Sequence, residues 1–507
     1  MAPLPNTDSM KLRDLLEGLV VKKVLPSSEN PEITGLAIDS RKVRPGYLYV
    51  AIIGEKDDGH RYLSEALERG ARVILTQTDF ESAGRAIDVV MENTKGVLPE
   101  LAGRFYHYPA QKLRMVGVTG TNGKTTTTYL IESIIAAAGK KAGVIGTINY
   151  RVAGRQVPAL NTTPGPLELQ EIFSQMVEAK CRYAIIEVSS HGLAQGRVSG
   201  LPFDVCLFTN ATSHEHLDYH GTFRNYLAAK ASLFSHYLAK SDKEKRVAVI
   251  NRDDRAARYF YRSVPRSVRL ISYGFRSGAT VRGFGLVLKE DGVSFRARTP
   301  MGEAEIILKL PGRHNAYNAL AALAFGVGEG ISLQTIRQGI EELRVVPGRF
   351  EDVETSHGFR VVVDYAHTDI GLKNLLMTAH ALRKASKEKQ GRILLTFGCG
   401  GDRDKSKRPK MGRIASAYAD YFVITSDNPR NEEPSAIISD VVSGILSSRR
   451  SRYEIILDRG EAIHRIISLA KIGDIVLIAG KGHETYQIMK DTVIPFDDRL
   501  AAGKALL

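Results

Sequence analysis

The run Gly117-Val-Thr-Gly-Thr-Asn-Gly-Lys-Thr-Thr-Thr-Thr128 constrains this chain more than any other stretch. The apolar segment Met115–Val118 leads into it, and a helical segment, Thr125–Ala138, leads out. A strand, a glycine turn and a helix opened by Lys and Thr build a phosphate cradle, because backbone N–H groups and the helix N-terminus face the anion. Lys124 is placed to neutralise phosphate oxygens and Thr125 to reach Mg²⁺. The strict spacing G-x-x-x-x-G-K-[ST] is not met, since Val118 stands where the first glycine belongs. A glycine-rich βα turn without a ligand is the plain alternative. Gly-Lys-Thr set between an apolar strand and a helix argues against it.

Such a cradle needs a carboxylate for its metal. Ala184-Ile-Ile-Glu187 puts Glu187 at the end of an apolar strand, and Ser189-Ser-His191 follows. After the next apolar strand, Val205–Thr209, comes Asn210-Ala-Thr-Ser-His-Glu-His-Leu-Asp-Tyr-His-Gly221. Mg²⁺ prefers oxygen ligands, whereas His214, His216 and His220 could equally be argued for zinc. Composition leaves that choice open.

Short mixed α/β elements precede the cradle from about Met10 to Tyr108: a strand at Tyr47–Ile53, a helix at Arg61–Arg69 and a strand at Ala71–Thr76. After the turn Pro311-Gly312 an Ala-rich helix spans about Asn315–Phe325, and Val345–Arg349 interrupts the pattern with Pro and Gly. Beyond it, four apolar strands alternate with helical segments: Val361–Val363, Ile393–Phe397, Tyr421–Thr425 and Ile475–Ala479. That alternation predicts a mostly parallel, doubly wound sheet. A length of 507 residues fits about three domains at roughly 100–200 residues each.

In open parallel sheets, ligands bind beyond the C-terminal ends of the strands. Here those ends read Asp364-Tyr-Ala-His367, Gly398-Cys-Gly-Gly-Asp-Arg403, Ser426-Asp-Asn-Pro-Arg430 and Ala479-Gly-Lys-Gly-His-Glu484. Turn chemistry explains some of the Gly and Asp. Two Arg, two His and a Glu at one edge predict a site for a zwitterionic or anionic substrate.

Composition excludes several classes. No run of about 18 apolar residues is present, so no membrane span is expected. The N-terminus shows no basic region followed by an apolar stretch, so no secretory signal is expected. Cys181, Cys206 and Cys399 fit neither a zinc spacing nor a disulfide framework, and buried free thiols in a reducing cytoplasm are expected. The net charge of +14 admits nucleic acid or small anionic substrates. The densest basic segments, Arg403–Lys410 and Arg449–Arg452, accompany no nucleic-acid fold signature and read as solvated faces.

Taken together, these motifs resemble the Mur ligase family. The variant loop Thr119-Gly-Thr-Asn-Gly-Lys-Thr-Thr126 is joined by Glu187-Val-Ser-Ser-His-Gly192, His216-Leu-Asp-Tyr-His-Gly221, Gly312-Arg-His-Asn-Ala-Tyr-Asn-Ala-Leu-Ala-Ala322, Pro347-Gly-Arg349 and Asp364-Tyr-Ala-His-Thr368, in the family's order over nearly the whole chain. Ile38-Asp-Ser-Arg41, Asp58-Gly-His-Arg-Tyr62, Asn161-Thr-Thr163, Gly401-Asp-Arg-Asp404 and Asp427-Asn-Pro-Arg430 resemble the tripeptide-forming members. The chain departs from the pattern at Glu215, where Asp is usual, and at Asp369-Ile370, where Pro-Asp is usual. Residues before Met10 match nothing in the family, and Met10 is a candidate start.

The resemblance implies an α/β enzyme of three domains: a small UDP-binding domain over 1–108, a central P-loop ATPase-like domain over 109–345 and a C-terminal Rossmann-like doubly wound domain over 346–507. It implies a cytoplasmic, monomeric ligase that uses ATP and Mg²⁺ to add meso-diaminopimelate to UDP-N-acetylmuramoyl-L-alanyl-D-glutamate through an acyl phosphate, without nucleic acid or membrane. It also assigns roles. Gly120, Thr121, Asn122, Gly123, Lys124, Thr125 and Thr126 would hold the ATP phosphates, and Asn315, Asn318, Arg349 and Asp364 the rest of the nucleotide. Glu187 and His216 would bind magnesium with Thr125, joined by Lys230 as a carbamate formed with CO₂. From composition alone Lys230, in Tyr226-Leu-Ala-Ala-Lys230, reads as a solvated helical lysine. Ile38, Ser40, Glu55, Lys56 and Asp57 would contact the uridine end. Asn161, Thr162, Thr163, Ser189, Gln195 and Arg197 would contact the muramoyl dipeptide. Arg403, Asp427, Asn428, Pro429, Arg430, Gly480 and Glu484 would form the diaminopimelate site, with Arg430 on a carboxylate and Glu484 on the distal ammonium. The alternatives are a lysine-adding sister ligase, folylpolyglutamate synthase, whose P-loop lies near its N-terminus, and a basic nucleic-acid ATPase.

Overall fold

Three sheets organise the chain in the computed structural model, which describes residues 9–25, 28–55, 57–212, 215–385 and 391–507. The first sheet has strands β1 (Val21–Leu25), β2 (Gly35–Ala37), β3 (Tyr47–Val50), β4 (Val73–Thr76) and β5 (Ile87–Met91) in the order β1-β5-β4-β3-β2. Only β1 runs antiparallel to its neighbour. The helix expected at Arg61–Arg69 begins at Leu63, because Gly59–Tyr62 forms a tight turn capped by the Asp58 side chain, which accepts from the His60 N–H at 3.0 Å.

The second sheet carries the phosphate cradle. Its strands are β6 (Arg114–Thr119), β7 (Ala142–Ile145), β8 (Asn149–Val152), β9 (Arg155–Pro158), β10 (Tyr183–Glu187), β11 (Val205–Phe208), β12 (Val247–Asn251), β13 (Arg269–Gly274), β14 (Val281–Lys289), β15 (Gly292–Thr299) and β16 (Gly302–Leu308). They lie in the order β9-β8-β7-β10-β6-β11-β12-β13-β14-β15-β16. The stretch from β7 to β14 is parallel, while β8–β9 and β15–β16 are antiparallel extensions that the sequence reading did not place. Alternate residues of β6 feed opposite cores. Val116 and Val118 pack with Ile131 and Ile134 of helix α1 (Lys124–Ala137) and with Leu320 of the long helix Arg313–Gly328, whereas Met115 packs with Phe173, Ile186 and Phe203. A strand apolar on both sides, as β6 and β10 are, must be covered on both faces by helices.

The third sheet has β17 (Glu351–Val353), β18 (Arg360–Asp364), β19 (Ile393–Phe397), β20 (Tyr421–Ile424), β21 (Tyr453–Ile455) and β22 (Ile475–Ala479) in the order β17-β18-β22-β19-β20-β21. All neighbours are parallel except β17 against β18. The four apolar strands expected there are present with nearly the expected bounds, and their C-terminal ends share one edge. A separate hairpin, β23 (Tyr486–Met489) and β24 (Thr492–Pro495), folds beside that edge. Among the described residues no helix is long and apolar enough to cross a membrane, and the three cysteines are free and buried.

Candidate active site

The loop between β6 and α1 owes its shape to two glycines. Gly123 caps the helix at φ +85°, and a Cβ there would run into the Asn318 carboxamide. Gly120, at φ +151°, would collide with the Thr209 hydroxyl. The left-handed region strains residues with a Cβ, so a side chain at Gly123 is excluded on both counts. The far side of the loop is fixed by Asn210, whose Oδ1 accepts from the Asn122 N–H at 3.0 Å and whose Nδ2 donates to the Asn122 carbonyl at 2.9 Å.

Two lysines converge on one carbonyl of this loop. Lys124 Nζ donates to Gly120 O and Thr121 O, each at 2.9 Å, and Lys230 Nζ donates to Gly120 O at 2.9 Å. Lys230 is 1 % exposed, so the solvated-lysine reading fails: the helix Phe223–Ser232 turns this residue inward. Burial, with Lys124 next, drives its ammonium well down from the usual lysine value. Burial also lowers Lys124. Two amines on one carbonyl, Lys230 buried and Lys124 half-buried, call for an anion.

Hard oxygens stand beside them. Thr125 Oγ1 donates to Glu187 Oε2 at 3.1 Å, while Thr147 meets the same carboxylate through its N–H at 3.1 Å and its hydroxyl at 3.0 Å. This donor set suits a small hard cation. Thr125 and Glu187 fit magnesium. His216 lies near Lys230 and Tyr226, its ring centroid 4.8 Å from that of His191 and 6.1 Å from that of Tyr226. Burial, and then Lys230, lower it to about 2, which keeps the imidazole neutral and free to act as a ligand. The zinc reading falls partly on His214, which lies outside the described residues. Among the described residues no three His, Cys, Asp or Glu gather in a metal-holding group.

A cleft of about 340 Å³ opens between this loop and the third sheet. Asn122, Gly123, Thr125, Thr126, Asn315, Asn318, Arg349 and Asp364 line it, so most of the expected nucleotide residues are brought together from two sheets, while Gly120, Thr121 and Lys124 lie outside its lining. Arg349 crosses the gap: its Nη2 donates to Thr125 Oγ1 at 3.2 Å, and its guanidinium stacks 4.6 Å over Tyr365. Asp364 Oδ2 accepts from the Phe350 N–H at 2.7 Å, which shapes the turn carrying Arg349, and burial raises this carboxyl. Asn318 Nδ2 donates to Asn315 Oδ1, and Asn315 to the Pro311 carbonyl.

The residues expected at the muramoyl dipeptide are joined by hydrogen bonds, Asn161 apart. Thr162 and Thr147 share a hydroxyl contact at 3.1 Å, and Thr163 Oγ1 donates to the Glu187 carbonyl at 2.8 Å and lies 3.1 Å from Ser189 Oγ. Arg197 donates to the Thr163 carbonyl at 2.8 Å and to Gln195 Oε1 at 2.7 Å. Gln195 Nε2 donates to Glu55 Oε1 at 3.1 Å, as does Tyr219 OH at 2.9 Å, which ties the first sheet's loop to the second unit. The Asn161 carbonyl accepts from Tyr150 OH at 2.7 Å. On the first unit Ile38 is exposed, Ser40 is buried with its hydroxyl on Glu65, and Asp57 accepts from Tyr62 OH. Lys56 lies outside the described residues.

At the third sheet's edge the expected charges meet. Lys481, fully buried, donates to Asn428 Oδ1 at 2.9 Å and pairs with Glu484 at 3.1 Å and Asp427 at 3.4 Å. Asn428 Nδ2 donates to Glu484 Oε2 at 2.9 Å. Arg430 Nη1 donates to the Gly401 carbonyl at 2.7 Å, and its backbone is held at φ +51° between Ile488 and Lys490 of the hairpin. Its Nε and Nη2 make no hydrogen bond within the described residues, and Gly400, where a Cβ would lie 3.1 Å from Arg430 Nη1 and 3.9 Å from Arg403 Cγ, leaves the Arg430 guanidinium and the Arg403 stem room. Pro429 turns the loop, and Gly480 passes close to Asp427. The basic run Arg403–Lys410 is only partly a solvated face: Arg408 is 0 % exposed and paired with Glu432 and Asp440. Sequence reasoning assigned nothing to Lys481, Arg408, Thr147 or Tyr226. Lys481 stood inside a motif already noted, and the others gave no local signal.

Comparison with known proteins agrees with this geometry. Residues 118–326 match the Mur ligase middle domain, 348–482 the Mur ligase glutamate ligase domain and 32–106 the Mur ligase family catalytic domain. The chain is 43% identical over 497 residues to the UDP-N-acetylmuramoyl-L-alanyl-D-glutamate–2,6-diaminopimelate ligase of Syntrophomonas wolfei, covering 98% of this chain and 99% of the relative. It is 43% identical over 481 residues to the ligase of that name from Geobacillus kaustophilus, covering 94% and 95%. A solved structure of a ligase with that name superposes with a TM-score of 0.65 at 31% identity, covering 98% of this chain and 99% of the other. Mycobacterium tuberculosis folylpolyglutamate synthase shares the fold, with a TM-score of 0.63 at 18% identity over 76% of this chain.

Proposed function

The chain belongs to the Mur ligase family, and from that membership we propose that it joins 2,6-diaminopimelate to the D-glutamate of UDP-N-acetylmuramoyl-L-alanyl-D-glutamate. It is an ATP-dependent amide ligase of peptidoglycan precursor synthesis and works with Mg²⁺. The observation that carries the choice of amino acid is the presence at the third sheet's edge of two guanidinium groups, Arg403 and Arg430, that make no ion pair among the described residues, beside the carboxylates of Asp427 and Glu484 held on Lys481. A diamino diacid presents the complementary charges. Lysine lacks the distal carboxylate that the two guanidinium groups would meet. We read the diaminopimelate as the meso isomer, the enzyme as a cytoplasmic monomer, and the domains as 1–108, 109–345 and 346–507.

The γ-carboxylate of D-glutamate attacks the γ-phosphorus of ATP, the bond to ADP breaks, and an acyl phosphate forms. The incoming amine attacks its carbonyl carbon, phosphate leaves, and the nitrogen loses a proton. Lys124 neutralises phosphate oxygens as charge shifts, and Arg349 reaches across the cleft toward the same group. Thr125 and Glu187, with His216, would hold magnesium, which would supply charge neutralisation at the phosphates. The other residues chiefly position, as in other phosphoryl transfers. Lys230 enters as a carbamate: its amine attacks CO₂, loses a proton and becomes an oxygen donor. The resemblance and its buried place on the Gly120 carbonyl support that reading. Lys230→Ala is expected to be inactive and partly rescued by a small carboxylate.

The test is purified protein with ATP, Mg²⁺, the UDP-muramoyl dipeptide and either diaminopimelate or L-lysine, scored for phosphate release and product mass. Product with diaminopimelate well above lysine is expected. A preference for lysine, or turnover stimulated only by DNA or RNA, overturns the reading.

A further inference from the structure

The two arginines of the amino-acid site stand on different loops, Gly398–Ser406 after β19 and Ser426–Glu433 after β20, so something must set the distance between them. Glu432 does so by geometry. Its Oε1 accepts from the Asp402 N–H at 2.7 Å and from Arg408 Nη2 at 2.8 Å, and its Oε2 accepts from Arg408 Nη1 at 2.9 Å. Arg408 also donates to the Gly400 carbonyl at 3.2 Å and to Asp440 at 2.9 Å. One buried fork therefore grips both loops. Asp402 is the residue before Arg403 and sits at φ +51°, while Glu432 follows Arg430, also at φ +51°, by two positions. Non-glycine residues in that region persist only where their surroundings force them. Two further bonds close the seam: Asn431 Nδ2 donates to Asp402 Oδ2 at 2.8 Å, and Arg430 itself donates to the Gly401 carbonyl.

We propose that Glu432, clamped by Arg408, is a positioning residue that fixes the spacing of Arg403 and Arg430, and so sets the enzyme's discrimination for an amino acid bearing a distal carboxylate. Neither clamp residue need touch substrate. Arg408 holds Glu432 ionised, down at about 2, so the clamp is closed at any working pH. A carboxylate read by two separate guanidinium groups loses affinity when they drift apart, since each charge-assisted bond depends on distance and direction. An amino acid without that carboxylate loses little. The inference rests on the reading of the site given above.

The experiment measures kcat and KM for diaminopimelate, L-lysine, ATP and the UDP-muramoyl dipeptide with Glu432→Gln and Arg408→Lys. Glu432→Gln is expected to raise KM for diaminopimelate about tenfold or more, as fits loss of a hydrogen-bonded charge, with KM for ATP within about twofold of the parent. The ratio of kcat/KM for diaminopimelate over lysine should fall by a similar factor. Arg408→Lys keeps the charge without the fork and should fall between the two. Asn431→Ala removes only the exposed seam bond and is expected to lower the ratio by about three- to fivefold with its melting temperature intact. It decides the matter if Glu432→Gln does not fold. A ratio unchanged within twofold in a folded Glu432→Gln, or in Asn431→Ala where that variant must decide, overturns the proposal, even if melting temperature drops. Should the parent not use diaminopimelate, the reading of the function fails on its own, and the clamp is judged on KM for the amino acid added against KM for ATP.

Discussion

Lys124 folds back on its own loop through the Gly120 and Thr121 carbonyls and, among the described residues, makes no ion pair. Its charge is held for a phosphate. Lys124→Ala is expected to lower kcat by roughly 10²-fold or more, as losing a preorganised electrostatic group does, while the melting temperature stays near the parent's. Near-normal turnover would remove this loop from the mechanism. Arg430 is a similar case, with a guanidinium only half engaged by backbone. Arg430→Ala should lower kcat/KM for diaminopimelate by roughly 30- to several thousand-fold, matching about 2–5 kcal/mol for a lost buried charge partner, and calorimetry should find ATP binding unchanged. Lys124, Glu187 and Arg430 were legible in the sequence because each stands in a local pattern whose chemistry is fixed by a turn or a strand end. Arg408 was not. A basic run reads alike whether solvated or buried, and the carboxylate that buries it, Glu432, lies 24 residues away.

Elements show the same division. Strands β6, β10, β19 and β22 are short, mostly apolar and end in or are followed by Gly or charge, so they were evident with nearly correct bounds. The antiparallel extension β14–β16 was not, since glycines at 283 and 285 and arginines at 296 and 298 break its alternation while exposed faces tolerate them. The C-terminal helix Asp498–Ala505 gave no signal of its importance. Its Asp498 pairs bidentately with Arg459 at 2.7 and 2.6 Å, both side chains fully buried, and Arg459 Nη2 in turn donates to the Ala479 carbonyl at the tip of β22. Removing one member of a buried pair strands the other, at about 3–5 kcal/mol. Asp498→Ala should therefore shift the urea midpoint down by that amount of stability, and an unchanged midpoint would show the pair to be solvated.

Over the whole molecule, the nucleotide cleft is built from two units, with His314 and His367 in its lining and His483 against Tyr365 of its wall. Burial lowers His314 to about 4, and His367 and His483 to about 3, each from an ordinary value of 6.5. The unfolded chain binds protons at these positions below 6.5 whereas the folded chain does so only below about 4. Their contribution to stability is thus present above 6.5 and is lost progressively as pH falls through that window. Melting temperature should decline from pH 7 toward pH 5, and His314→Gln should flatten the decline. An equal slope in that variant would assign the acid sensitivity elsewhere.

The carboxylate of Glu55 already holds Gln195 and Tyr219 across the boundary between the first and second units. The free enzyme therefore carries an internal competitor, an acidic group resting on a side chain that an acidic substrate is expected to claim. Association becomes an exchange of one anion for another, and its observed strength is a difference between two contacts. Such an arrangement trades affinity for reversibility.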